Sequence, residues 1–179
     1  MKAVTSSQAT PNSLQRLGAI TLLSWFAMLG FDFFLHAGAL ARLYLQPSPF
    51  LLPPLDAFRL VPVGYLSFLL LAVLLLWLMV RLDAAGWRAG LLFGLKLGGL
   101  TWGAFALGLL SISTASVPLL MGWFVGQTLE LALAGAIAGN ALAGAKLSQL
   151  SVKVLAFVMV AVIMTIALQS LGLAPAVRM

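Results

Sequence analysis

Cysteine is missing altogether, histidine occurs once, and charged residues make up only 8% of the 179-residue chain. Without thiols, disulfides, iron–sulfur clusters, thiolate zinc sites and cysteine nucleophiles are all excluded. With so little charge the chain has too little polar surface to face water, since soluble domains carry about 25% charged residues. What is there instead is apolar: 63% of the residues, with a mean hydropathy of +1.12. Several apolar runs reach the roughly 20 residues needed to cross a bilayer core. A transmembrane β-barrel would alternate apolar and polar residues, and VGYLSFLLLAVLLLWLMV (63–80) does not. Composition therefore predicts an all-α, polytopic transmembrane helical bundle whose partner is the lipid bilayer. Ten basic residues against four acidic ones give a net charge of +6. Most of them stand singly at span ends, without the basic stripe or arginine–aromatic interleaving of a nucleic-acid binder. Nucleic acid is not an expected partner.

Five spans are read at about 17–41, 60–80, 89–110, 117–139 and 152–173. A polar N-terminal tail, 1–16, precedes them, and 17–179 forms one five-helix transmembrane domain. The first apolar run, with AGALA at 37–41, has elements of a cleaved leader. It is too long for one, and Asp32 interrupts it, so it is read as a span. A cytoplasmic N-terminus puts Lys2, Arg16, Arg81, Arg88, Lys146 and Lys153 on that side, with Arg42, Arg59 and Arg178 opposite. The positive-inside rule then predicts an N-in chain, with the bacterial cytoplasmic (inner) membrane as its expected location. LQPSPFLLPPLDAFRLVP (45–62) holds five prolines, a density that argues against a regular helix across it. Its apolar residues are expected in the headgroup zone, or else folded over the bundle as a lid or docking surface.

Glycine is patterned. Gly90, Gly94 and Gly98 recur every four residues in the third span, with Gly99 and Gly103 as a second pair. The fourth span offers Gly122 and Gly126, then Gly135 and Gly139. Small residues at GxxxG spacing let helix backbones approach closely where lipid supplies no hydrophobic drive. A tight hairpin of spans three and four is expected, with internal packing preferred over self-association. The Leu-rich second span and the β-branched fifth span read as lipid-facing, leaving one, three and four as the core.

Four ionisable residues fall inside spans: Asp32, His36, Lys96 and Glu130. Such groups are costly in lipid and mark function by default. Counting from span ends puts Lys96 and Glu130 at similar depth on adjacent helices, which predicts a Lys96–Glu130 ion pair, with Gln127 one turn from Glu130 as a hydrogen-bond donor. That pair either fixes helix register or relays a proton or cation. Asp32 and His36, four apart, share a helix face. They satisfy each other as a carboxylate–imidazole pair, or handle protons or ions near neutrality. A third reading has His36 ligate a haem or chlorophyll-type pigment, with Ala37, Gly38 and Ala39 admitting a flat ring. One histidine per chain limits that to a pentacoordinate metal or a dimer. A bare metal site from Asp32, His36 and Glu130 suits the ligand types, but their depths differ.

No nucleotide loop, HExxH or GxSxG motif occurs, and no catalytic residue is proposed. WFAMLGFDFFLHAG, GLLFGLKLGGLTWGAF and GWFVGQTLELALAGAIAG together resemble small bacterial integral-membrane families of unknown function with four or five spans. The resemblance covers about a third of the chain and implies a compact inner-membrane bundle, without lending a reaction. The leading expectation is a transport-related or permeation-like module for a proton, ion or small solute. The alternative is an accessory subunit of a larger membrane complex or homo-oligomer, binding haem or pigment through His36. A membrane-embedded enzyme is third.

Overall fold

In the computed structural model, described for residues 13–44 and 48–175 (Pro54 and Leu55 by backbone alone), the first helix opens at Leu14. The tail's residues 1–12 with Lys2, Pro47 of the first connection, and Arg178 lie outside the described residues. Ser13 caps the helix by accepting from the Arg16 backbone N–H, the usual service of serine at this position. Helix α1 covers Leu14–Phe34 and widens into a π-helical segment, Leu35–Ala39. A short α2, Ala41–Tyr44, follows. The remaining helices are α3 (Pro54–Arg81), α4 (Trp87–Ile112), α5 (Val117–Leu142) and α6 (Leu147–Ser170). Five of the six are long and apolar enough to span a membrane, and there is no strand among the described residues.

α3 begins earlier than the proline density suggested. Pro53 caps it and Pro54 opens it, at a position whose N–H has no helical partner anyway. Of the prolines, only Pro62 falls inside the helix, and membrane helices tolerate an interior proline when neighbours restore its lost bond.

The helices α4 and α5 run antiparallel along their glycines. A Cβ on Gly90 would meet the Gly135 carbonyl, one on Gly94 the Leu131 carbonyl, and one on Gly98 the Thr128 Cα at 2.8 Å. At the hairpin's other end Gly86, at φ 100°, donates its N–H to the Gly139 carbonyl at 2.8 Å. Backbone-to-backbone contact of this kind replaces the hydrophobic drive that lipid cannot supply.

Against its other face α5 takes α1, with Leu35 over Gly126 and the Ser24 hydroxyl donating to the Ala134 carbonyl at 3.4 Å. Arg16 donates to the carbonyls of Ala141 and Ala145 at 2.9 and 3.2 Å, satisfying groups left over at the end of α5. α3 closes this side through Phe68, Ala72, Leu75 and Met79, which share a core with Ile20, Met28 and Leu131.

The peripheral helix is neither of the two expected, α3 and α6. α6 lies against α1, with Val158 at Gly30 and Thr165 and Leu168 at Gly38. Leu150, Val154, Ala161 and Thr165 form its buried stripe. Within the apolar window, 22% of α6 is buried against 6% of α4. Apart from its seam with α5, α4 is the helix that faces outward, so the core is α1 and α5 flanked by α3 and α6.

Candidate intramembrane polar site

The site grows from the seam between α1 and α5. Asp32 is buried and one turn before His36. The imidazole Nδ1 lies 2.7 Å from Asp32 Oδ1 and 3.1 Å from the Asp32 backbone carbonyl. The i, i+4 spacing that suggested this pair is realised with His36 already inside the π segment. A π segment shifts every later side chain around the axis, and such segments concentrate at functional sites. Leu40 N–H bonds five residues back to the Leu35 carbonyl at 2.6 Å. The Ala37 carbonyl turns instead to Gln169 of α6, accepting from its Nε2 at 2.9 Å. α6 thereby fixes the segment that carries His36.

On α5, Glu130 is fully buried and Gln127 nearly so. Gln127 Nε2 donates to Glu130 Oε1 at 3.2 Å. At 1.5 Å per residue Glu130 sits about 18 Å from the Leu142 end and about 20 Å from Val117, which is the middle of the span. The contacts of Leu35 with Gly126 and Ser24 with Ala134 set Asp32 level with Thr128–Leu129. Asp32 therefore lies within a turn of both Gln127 and Glu130 in depth. Counting from span ends had separated them further, because the helices are longer than the apolar runs alone.

Toward the α5 start the polar set continues. Trp123, one turn before Gln127, donates its indole N–H to the Tyr44 hydroxyl. The Tyr44 ring stands 5.3 Å from the His36 ring, and Phe50 packs 6.1 Å from Trp123. Burial pushes the Tyr44 phenol above its ordinary range; the Trp123 hydrogen bond pulls it down, and the Asp32 and Glu130 charges push it up again. Beyond Leu43 and Leu119 a shallow depression opens, bordered by Ser48, Thr114 and Ser116.

Several polar atoms at this level have no partner: Glu130 Oε2, Gln127 Oε1, Thr128 Oγ1 and Trp102 Nε1, each buried. An unmade hydrogen bond costs roughly 1–3 kcal/mol, and buried polar atoms normally find a partner, protein or water. Three of these are oxygens able to accept a hydrogen bond, and the Trp102 indole N–H can only donate one. Among the described residues no three His, Asp or Glu side chains gather closely enough to hold a metal ion.

Lys96 is not part of the site. Gly94 and Gly98 against residues 128–132 do place it level with Glu130, but on the wrong side of α4. The seam runs along Gly90, Gly94 and Gly98, whereas Lys96 lies two residues from Gly94, about 200° around the helix. It is exposed, and the ion pairs among the described residues are His36–Asp32 and Arg59–Asp56. The expected Lys96–Glu130 pair followed from depth counted along the spans, and Lys96 falls on the stripe of the second glycine pair, Gly99 and Gly103. Gly99 has no atom within 4 Å of where its Cβ would stand, so that stripe is not the seam. Of the five residues singled out, Asp32 pairs with His36 and Gln127 with Glu130, the two pairs standing at similar depth on α1 and α5, and Lys96 pairs with neither. Tyr44 is a member of the polar set that spacing along the sequence does not mark, because its link to Trp123 crosses 79 positions. The same holds for Gln169, whose bond to the Ala37 carbonyl crosses 132 positions.

The fold and site define a class: a multi-pass helical membrane protein with a buried acidic and amide cluster. No known protein family, curated protein or solved structure matches the chain.

Proposed function

We propose that this chain is a small permeation module of the bacterial inner membrane, passing protons between Glu130 at mid-membrane and the end of the bundle at Tyr44. The observation that carries the reading is Glu130 itself, fully buried at mid-span with one carboxyl oxygen unpartnered. A carboxylate at such depth with no counter-charge beside it is costly; it becomes complete only when a proton or cation occupies it. Gln127, the Asp32–His36 pair and the Tyr44–Trp123 pair line the way outward. Carboxyl, imidazole and phenol are all groups that take and return protons.

The orientation belongs to the same proposal. Arg16, Arg81, Arg88, Lys146 and Lys153 lie at the α1-start end, and Arg42 and Arg59 at the other. The positive-inside rule supports a cytoplasmic N-terminus, and the Tyr44 mouth then opens on the outer side. The test is proton flux in liposomes loaded with a pH-sensitive dye. The parent should dissipate an imposed pH gradient faster than empty liposomes, and Glu130→Gln and Asp32→Asn should each abolish the difference. Flux unchanged by both substitutions ends the permeation reading.

A second reading rests on the imidazole. Histidines that bind metals usually give their other ring nitrogen to a carboxylate, as His36 gives Nδ1 to Asp32. An accessory subunit carrying haem or pigment on His36 Nε2 would show a visible absorption band on gentle purification, lost in His36→Ala.

A further inference from the structure

Lys96 has no role in the polar site, and its position calls for a different partner. We propose that the lipid-facing side of α4 binds the headgroup of an anionic phospholipid, with Lys96 and Arg88 as its two cationic contacts. Lys96 stands nine residues into α4, in the half nearer Trp87. A 26-residue helix is about 39 Å long against a hydrocarbon core of about 30 Å, so the Lys96 Cα lies on the order of 9 Å below the core boundary. Helical side chains tilt toward the N-terminus of their helix, here toward the nearer surface. The four-carbon lysine stem runs along apolar surface in that direction and lifts its ammonium to the headgroup level.

Arg88 waits there. Arg88, Leu92 and Lys96 follow one another at i, i+4 and i+8 on one exposed stripe. The guanidinium stacks on Trp87 at 5.1 Å, an aromatic at the depth where indoles prefer to sit. α4 carries no acid, and Asp83, the acid in the preceding turn, makes no ion pair with either cation among the described residues. Two cations on a lipid-exposed stripe, without a protein counter-charge, match a phosphodiester that comes from the surrounding bilayer. Gly99, one turn further in and open above its Cα, leaves room below the lysine stem for an acyl chain.

The experiment is native mass spectrometry of the full chain, released from nanodiscs with equal amounts of phosphatidylglycerol and phosphatidylcholine. The parent should retain phosphatidylglycerol preferentially. Lys96→Met and Arg88→Gln should each lower that retention about fivefold, the worth of one cation near an anionic surface. Lys96→Arg should keep it, and Arg59→Gln, at the opposite end, should leave it unchanged. Equal retention of both lipids by the parent overturns the proposal, as does undiminished retention in Lys96→Met. A dimer that Lys96→Met dissociates would give this face to a second copy and overturn it too. None of these readouts involves Glu130, so this site and the permeation reading fail independently.

Discussion

Replacing Gly94 with alanine and, separately, Gly99 with alanine compares two positions five residues apart on one helix. A Cβ at Gly94 would stand 2.7 Å from the Leu131 carbonyl carbon and 2.8 Å from the Ala132 Cα. Restoring an ordinary 3.4 Å contact to the carbonyl carbon alone would part the two backbones by about 0.7 Å across the seam, and the Leu131 carbonyl oxygen, nearer still, demands more. Overpacking of this kind costs about 1–3 kcal/mol, and alanine's better helix propensity returns roughly 0.8–1 kcal/mol. At Gly99 nothing lies within 4 Å, so the propensity gain is unopposed there. The two variants should differ in stability by about 1–3 kcal/mol, with Gly94→Ala the weaker. Reversible unfolding in mixed micelles on titration with a denaturing detergent measures both. Equal midpoints, within about 0.5 kcal/mol, would show that α4 does not pack through the Gly90–Gly94–Gly98 stripe. The placement of Lys96 would fall with it.

Gln169→Leu removes the donor to the Ala37 carbonyl and should cost about 0.5–1.5 kcal/mol. Amide exchange should rise within Leu35–Ala39 rather than across α6. Arg16→Met takes the charged donor from the Ala145 carbonyl and from the Ala141 carbonyl, which keeps the Gly144 N–H; a loss of about 1.5–3 kcal/mol is expected in the same unfolding assay. The raised Tyr44 phenol gives stability that is fully present below the unfolded value of about 10 and is lost as pH climbs above it. Thermal denaturation between pH 8 and pH 11 should therefore show a steeper alkaline decline in the parent than in Tyr44→Phe. Removing the Trp123 hydrogen bond by Trp123→Phe should carry the phenol higher still, read by ultraviolet titration.

Much of this arrangement can be read directly from residue spacing. Asp32 and His36 meet because i and i+4 share a face, and Gln127 reaches Glu130 for the same reason one turn apart. Glycines at every fourth position point to a close α4–α5 hairpin, and counting residues puts Lys96 and Glu130 at one depth. Depth is a one-dimensional quantity, however, and the face a residue takes depends on which stripe becomes the seam. Two glycine stripes compete on α4, and only contact with α5 decides between them. α6 was misjudged for a related reason: its valines and isoleucines look uniformly greasy, although Val154, Ala161 and Thr165 recur at helical spacing and mark the face that α1 covers. The π segment has no local signature in LHAGA, since the wider turn is held by Gln169 from the far end of the chain. Pro54 and Pro62 show the reverse error, in which a residue's general reputation outweighs its position within a helix.

The account stands or falls on α1 and α5 bringing Asp32 and Glu130 into one interior, with Lys96 turned outward. Because the chain has no cysteine, two engineered pairs decide it under mild oxidation in native membranes. Leu35→Cys with Gly126→Cys should form an intramolecular disulfide, and Lys96→Cys with Glu130→Cys should not. A crosslink in the second pair and none in the first would contradict the shared site at its root.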